Sequence, residues 1–304
     1  KLNPDIIYVG GDIVHSKTQG ISPELIDSLI WWFKSLASIC PTHVILGNHD
    51  GLILNKDRQD AITPIINAIQ EDNIHLFKQS GVYPTGFKGF NWCVFSCFDE
   101  ERWEDVKPVE GEVNIALYHG AVRGSLTDTD WSLEGEIESG FFKGYDFALL
   151  GDIHKRQFLN KKKTIAYCGS TIQQNYGEDP DKGFLFWDIR GKNDFDVSFH
   201  RLYSPNPFIT VDWAGTVENT IRSCKTYPDC SRFRIRSSVP ITQVESKRIQ
   251  QDLKRLKSAE EVVFKTETTF DMSQINTQTH NLSQRNLRDP DVHMSLITDY
   301  YKDA

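Results

Sequence analysis

Four short apolar runs each give way at once to residues that bind metals. Ile6-Ile7-Tyr8-Val9 leads into Gly11-Asp12, Val44-Ile45-Leu46 into Gly47-Asn48-His49-Asp50, Ile115-Ala116-Leu117-Tyr118 into His119-Gly120, and Phe147-Ala148-Leu149-Leu150 into Gly151-Asp152-Ile153-His154. Carboxylate, amide and imidazole without a thiolate form a hard oxygen and nitrogen donor set. Such a set suits Mn2+, Mg2+, Fe2+ or Zn2+ in a paired-metal hydrolytic site. A Gly-Asp after a strand is usually only a turn, so Gly11-Asp12 alone says little. Gly47-Asn48-His49-Asp50 is far rarer, and four such motifs at four strand ends make coincidence a poor account.

For Asp12, Asn48, His119, Asp152 and His154 to meet, the runs that carry them must lie side by side. Runs this short, β-branched and bounded by glycine read as buried parallel strands, and ligands gather beyond the carboxyl ends of such strands. Helical stretches at residues 22–39 and 60–69 alternate with them, the rhythm of an α/β domain. Strands dominate later, at 92–98, at 158–167 around an Asn160-Lys161-Lys162-Lys163 turn, and at 183–188 and 197–203. The expected fold class is therefore α/β, a two-sheet sandwich flanked by helices.

Ser204-Pro205-Asn206-Pro207 breaks the pattern and marks a boundary. Beyond it a strand (208–213), helix (217–226), strand (232–237), helix (242–257) and strand (261–266) make a compact βαβαβ unit. The expected organisation is a main domain over 1–203, a small domain over 204–270, and a linker and tail over 271–304. The tail is polar to Gln284, and Leu296, Ile297, Tyr300 and Tyr301 near its end sit at helical spacing, able to dock on this protein or on a partner.

With 304 residues, 39% hydrophobic, the chain can bury a sizeable core. It has no apolar run of about 18 residues and no secretory pattern at its start, so neither a membrane span nor a signal peptide is visible. Lys1 falls just before a strand, which predicts that a further N-terminal segment precedes it. Six cysteines form no Cys-x-x-Cys pair and sit in apolar stretches, as expected of reduced thiols in a cytoplasm. A net charge of -8 argues against coating nucleic acid by bulk charge, although clustered carboxylates at a metal site contribute to it.

These motifs resemble those of the calcineurin-like metallophosphoesterases. More narrowly, Gly11-Asp12-Ile13-Val14-His15, Gly47-Asn48-His49-Asp50, Tyr118-His119-Gly120 and Gly151-Asp152-Ile153-His154-Lys155 look like the SbcD-type nuclease subunits of DNA recombination and repair. Tyr167-Cys168-Gly169-Ser170, Asn175-Tyr176-Gly177-Glu178 and Lys182-Gly183-Phe184 are similar to that branch too, and phage recombination endonucleases are the nearest likeness. The resemblance covers about residues 5–203, and the small domain stands where that branch carries a DNA-facing cap.

The resemblance implies two divalent metals, Mn2+ first and Mg2+ second in preference, bridged by Asp12. Asn48 and His119 would bind the second metal and His154 the first. Asp152 stands where the family usually has a histidine of the second metal, and a carboxylate there leans the site towards Mn2+ or Mg2+. His49 would contact the scissile phosphate and protonate the leaving oxygen, with Asp50 holding its ring and His15 helping to position the phosphate. The plain alternative for His15 is a loop histidine. The family's first motif, Asp-x-His, is absent, since Asp152-Ile153-His154 belongs to the last motif and Asp291-Val292-His293 follows Arg288-Asp289-Pro290 rather than an apolar strand. The resemblance thus implies a domain lacking its first strand, with a second-metal site more complete than the first. It also implies a homodimer within a heterotetramer, an SbcC-type ATPase bound to the tail, and a cytoplasmic location, the host's if phage-encoded.

Lys155, Arg156 and the Lys161-Lys162-Lys163 turn lie beside the last metal motif, and Arg232, Arg234 and Arg236 share one face of a strand. Alternating arginines can line a phosphate track, and they are also what an exposed strand face looks like. The break at Pro205 and Pro207 predicts that the small domain serves DNA binding and not the chemistry. Two rivals to a DNA nuclease remain: a small-molecule phosphomonoesterase or nucleotide phosphodiesterase on the same core, and a non-catalytic binding subunit with a decayed site. His43, His75, His200, His280 and His293 lack any such context and read as structural or solvated.

Overall fold

The structure, a computed structural model, describes residues 2–15, 20–55, 58–135 and 137–267. The expected tail at 271–304 lies outside the described residues, with His280 and His293. In chain order the elements are β1 (Ile7–Val9), α1 (Pro23–Ala37), β2 (Thr42–Ile45), α2 (Thr63–Ile69), β3 (Ile74–Phe77), β4 (Gly81–Pro84), β5 (Phe90–Phe95), β6 (Val113–His119), β7 (Phe147–Gly151), β8 (Gln157–Phe158), β9 (Ile165–Tyr167), β10 (Gly183–Gly191), β11 (Asp194–Arg201), β12 (Phe208–Asp212), α3 (Val217–Cys224), β13 (Arg232–Ser237), α4 (Gln243–Lys257) and β14 (Glu261–Thr266).

The four apolar runs become β1, β2, β6 and β7, all in parallel pairs but divided between two sheets. One sheet has the order β1-β2-β3, and the other β4-β5-β6-β7-β9-β8. Alternation along the strands sends successive side chains to opposite faces and makes a sandwich. Ile45 of the first sheet and Trp92, Val94, Ile115, Leu117 and Phe147 of the second fill the space between them. Val44 points the other way, onto Leu29 and Phe33 of α1 and Ile65 and Ile69 of α2.

Cys93, Phe95, Ala116, Tyr118, Ala148 and Leu150 face outward from the second sheet, where Val122, Ile137 and Phe142 cover them. Among the described residues that face is covered by loops and a 3-10 turn at Ser139–Gly144. The hairpin β10–β11 packs Trp187 and Phe195 against Phe147. Helix α2 starts three residues later than expected, because Asp60 accepts hydrogen bonds from the backbone of Ile62 and Thr63 and so makes the turn that precedes it.

Residues 208–266 build a separate parallel sheet, β12-β13-β14. Strand β13 reads Arg-Phe-Arg-Ile-Arg-Ser, so Phe233 and Ile235 pack under α3 and α4 while the three arginines turn to the opposite face. Helix α4 opens on a reciprocal cap, Thr242 receiving the Glu245 N–H and Glu245 receiving the Thr242 N–H. No helix among the described residues is long and apolar enough to cross a membrane. Four of the six cysteines are buried, and all six are free thiols.

Candidate metal centre

The carboxyl ends of the two sheets meet at one seam. Gly10-Gly11-Asp12 follows β1, Gly47-Asn48-His49-Asp50 follows β2, His119 closes β6, and Asp152 comes one residue after the Gly151 that pairs with His119 in register. The approach is close enough to require glycine. A Cβ on Gly151 would lie 2.0 Å from the Gly10 carbonyl oxygen, and one on Gly47 would lie 2.2 Å from Oδ1 of Asp12. Asp12 (φ +53°) and Asp152 (φ +91°) both adopt left-handed backbone, which costs a non-glycine residue about 1–3 kcal/mol and marks places where geometry outranks local comfort.

Oxygens and one nitrogen converge there. Nε2 of His119 lies 3.1 Å from Oδ1 of Asn48, 3.2 Å from Oδ1 of Asp12 and 3.9 Å from Oδ1 of Asp152. The other ring nitrogen, Nδ1, faces the Gly10 carbonyl at 2.6 Å. A carbonyl accepts only, so Nδ1 carries a proton and Nε2 is the ring nitrogen turned to the oxygens, where a cation would take its lone pair. Burial raises the carboxyl pKa of Asp12, yet the hydrogen bond and charge of His119 outweigh it and hold Asp12 below the usual range. Burial and the neighbouring Asp12 carboxylate push Asp152 the other way.

Neither carboxylate has a Lys or Arg partner among the described residues. Asp12, His119 and Asp152 can each offer one ligand atom within 4.8 Å of the others. Two crowded carboxylates, an amide oxygen and an imidazole fixed in its donating tautomer fit a divalent cation. The four residues expected at the second metal thus come together.

His154 stands apart from that cluster. A cleft of about 260 Å³ lined by Thr127, Asp128, Asp152, His154, Gly177 and Glu178 runs beside it, so Asp152 borders both places. Nδ1 of His154 pairs with Oε1 of Glu178 at 3.0 Å. Burial raises the Glu178 pKa, but His154, the Gln174 N–H and Lys182 bring it down to about 2. Glu178, Lys182 and Asp128 escaped the sequence reading as site residues; Glu178 and Lys182 lay inside quoted motifs, whereas Asp128 carried no signal.

Asp50 does not do what was expected of it. Its carboxylate is fully buried and accepts the N–H groups of Ile13 (2.8 Å), Val14 (3.1 Å) and Gly47 (2.8 Å), stitching the loop after β1 to the loop after β2. Burial lifts its pKa to about 6, the N–H groups of Gly47 and Val14 opposing the rise. The ring of His49 is held elsewhere: its Nδ1 makes a close contact with the backbone carbonyl of His15, and the two rings stack with centroids 5.6 Å apart. The backbone N–H of His49 donates to Oδ1 of Asp12 at 2.9 Å, which keeps His49 beside the cluster.

The arginine face of β13 is not an open phosphate track. Arg236 forks onto Asp212, Arg232 pairs with Glu260, and Arg234 donates to the Tyr176 carbonyl and lies over the Tyr176 ring. Of the three, Arg234 is the one that meets the main domain's loop at 173–178, while Arg236, at 43% side-chain exposure, still borders solvent. Lys155 pairs with Asp130, and Arg156 pairs with Asp181 and lies over Phe199. Lys161, Lys162 and Lys163 are exposed on the turn between β8 and β9.

Comparison with known proteins bears on the same region. The profile described as calcineurin-like phosphoesterase matches residues 1–156. An uncharacterized protein of Acanthamoeba polyphaga mimivirus is 40% identical over 204 residues, 63% of this chain and 15% of that protein. A protein of Invertebrate iridescent virus 6, provisionally named a phosphoesterase, is 25% identical over 60% of this chain and 63% of its own length. The uncharacterized metallophosphoesterase YhaO of Bacillus subtilis strain 168 is 23% identical over 66% of this chain and 48% of its own. The matched regions span less than two thirds of each of these relatives.

Proposed function

The chain belongs to the calcineurin-like phosphoesterases, metal-dependent hydrolases of phosphoesters, and on that premise we propose that it is a nuclease subunit that hydrolyses DNA phosphodiester bonds with two divalent cations, Mn2+ first among them. The observation that carries the hydrolytic part is the convergence of Asp12, Asn48, His119 and Asp152 from two sheets on one point, with His49 tethered beside it. Support for a polymeric substrate is the small domain's attachment to the wall of the adjoining cleft, which gives an extended chain more surface to lie along than a small ester would use.

Asp12, Asn48, His119 and Asp152 would hold one cation, and Asp12 with His154 would supply ligands to the other. Bound there, the cations would polarise the phosphoryl group and offset charge on the attacking and leaving oxygens. The chain's own groups do the rest. The His15 carbonyl accepts the Nδ1 proton of His49, so a leaving oxygen would take its proton from Nε2 of the doubly protonated ring, which is left neutral with its proton on Nδ1. The backbone at position 15 thereby takes the part expected of Asp50. An SbcC-type ATPase partner and a dimeric arrangement belong to the same proposal and rest on motif resemblance.

The test pairs His49→Ala with Asp12→Ala. Mn2+ binding is read by calorimetry, and cleavage on duplex DNA and on bis-p-nitrophenyl phosphate. His49→Ala should lose both cleavage activities by roughly 10²- to 10⁴-fold while still binding Mn2+, whereas Asp12→Ala should lose cleavage and binding together. Loss of Mn2+ binding in His49→Ala would make His49 a ligand. A wild-type protein that hydrolyses the small ester and leaves DNA intact would favour the small-molecule phosphodiesterase.

A further inference from the structure

The loop at 173–178 touches His154 at one end and the small domain at the other. At the first end, Glu178 receives Nδ1 of His154 on Oε1 and the Gln174 N–H on Oε2, each at 3.0 Å. Lys182 reaches Oε2 of Glu178 at 3.1 Å, Asp128 at 3.2 Å and the His154 carbonyl at 3.0 Å. The side chains of Glu178 and Lys182 are each only 5% exposed, while that of His154 is 35% exposed and opens to the cleft. Burying two carboxylates and an ammonium is costly and poor support for stability alone. What the arrangement does provide is direction: with Nδ1 engaged by a carboxylate, Nε2 is the nitrogen His154 has left to offer, and the ring cannot turn.

At the other end the loop is gripped by the small domain. The Tyr176 hydroxyl donates to Glu261 at 2.8 Å, its carbonyl accepts from Arg234 at 3.1 Å, and its ring lies edge-on to Phe208 with centroids 4.9 Å apart. The Gln173 side chain exchanges two hydrogen bonds with the backbone of Phe208 and gives a third to the Glu178 carbonyl. Gly177 alone lies between Tyr176 and Glu178, so a shift of the small domain reaches His154 with little slack.

We propose that Glu178 is a positioning residue that presents Nε2 of His154 to a divalent cation, and that the small domain keeps Glu178 in place through the hold of Arg234 on Tyr176. This rests on the metallohydrolase reading of the site. It gives Arg234 a part other than the DNA contact expected of it, and it makes the small domain a contributor to the chemistry rather than a bystander.

Histidine-ring 15N spectra of the chain read each imidazole separately, first without metal and then during titration with Zn2+ alone. In the wild type, His154 should carry its proton on Nδ1 and its Nε2 signal should move with Zn2+. Glu178→Ala should mix the two tautomers and raise the Zn2+ needed at His154 by about 10- to 100-fold, the usual reach of such outer contacts. Glu178→Gln should fall between. Arg234→Ala should shift His154 the same way by several-fold, and Arg236→Ala, whose fork ends on Asp212, should not. His119 should respond as in the wild type throughout, which reports an intact fold. An unchanged His154 in Glu178→Ala and Glu178→Gln would overturn the positioning role, and an unchanged His154 in Arg234→Ala would overturn the hold by the small domain. A wild-type His154 blind to Zn2+ while His119 responds would refute His154 as a ligand, a failure of the parent reading.

Discussion

Replacing Gly47 by alanine tests whether the seam between the sheets is as tight as its glycines imply. Gly47 needs no left-handed backbone; it is glycine for lack of space. The added Cβ would sit 2.2 Å from Oδ1 of Asp12, 2.4 Å from its backbone nitrogen and 2.6 Å from Cε1 of His119. Restoring an ordinary contact of about 3.4 Å means moving the Asp12 carboxylate by about 1.2 Å. A shift of that size takes Oδ1 out of reach of the His49 N–H, now at 2.9 Å, and away from His119 Nε2, now at 3.2 Å.

Losing one charge-assisted contact of this kind costs about 2–3 kcal/mol, or roughly 30- to 150-fold in Mn2+ affinity. Overpacking should cost the fold about 1–3 kcal/mol, less than the 5–15 kcal/mol, roughly, that a domain has in hand, so the variant should still fold. Gly86→Ala is the control: Gly86 has φ +95° and open space around it, so alanine there adds backbone strain and leaves the metal site alone. Calorimetric titration with Mn2+ decides the matter. A Gly47→Ala protein binding Mn2+ within twofold of wild type would refute the idea that close approach at this glycine shapes the site.

Asp50→Ala strands three buried N–H groups, at about 1–3 kcal/mol each, partly offset by no longer burying a carboxylate whose pKa burial lifts to about 6; urea unfolding should show a net loss of about 3 kcal/mol or more, with Asp50→Asn losing about half. His43 is buried, and its Nδ1 accepts from Trp92 Nε1 at 2.7 Å, a bond only the neutral ring can receive. Burial, and next the nearby His75, lower its pKa to about 4, so its stabilising share is complete above the unfolded value near 6.5 and is lost as pH falls towards 4, by about 3 kcal/mol at most. His43→Gln should flatten urea midpoints measured between pH 7 and 4 relative to wild type, and an equally steep decline in the variant would reject the assignment.

Residues whose role is local were legible before the structure. The Arg-Phe-Arg-Ile-Arg-Ser alternation places β13 to the residue, because period two is written into its own side chains. The ligand motifs could be located because glycine must follow a strand that ends against another backbone, and those glycines are in the chain text. What stayed hidden depends on partners far away in sequence. Asp50 looks like a companion of its neighbour His49, but its acceptors are filled by Ile13, Val14 and Gly47. Arg232, Arg234 and Arg236 look solvent-facing because alternation tells which residues share a face and not what covers it. Glu178 lies 24 residues from the histidine it holds, a pairing that no spacing rule anticipates.

The seam has a mechanical consequence. Asp12 and Asn48 hang from the three-stranded sheet, His119 and Asp152 from the six-stranded one, and a cation bound by all four is a cross-link between layers that otherwise adhere by apolar contact and a few hydrogen bonds such as Trp92 to His43. Its binding free energy adds to the work of prying the layers apart, in proportion to the logarithm of its concentration over its dissociation constant. The protein's melting point should therefore climb with free Mn2+, and amide exchange in the loops after β1 and β2 should slow with it. Metal supply would then set how long the molecule survives as well as how fast it works.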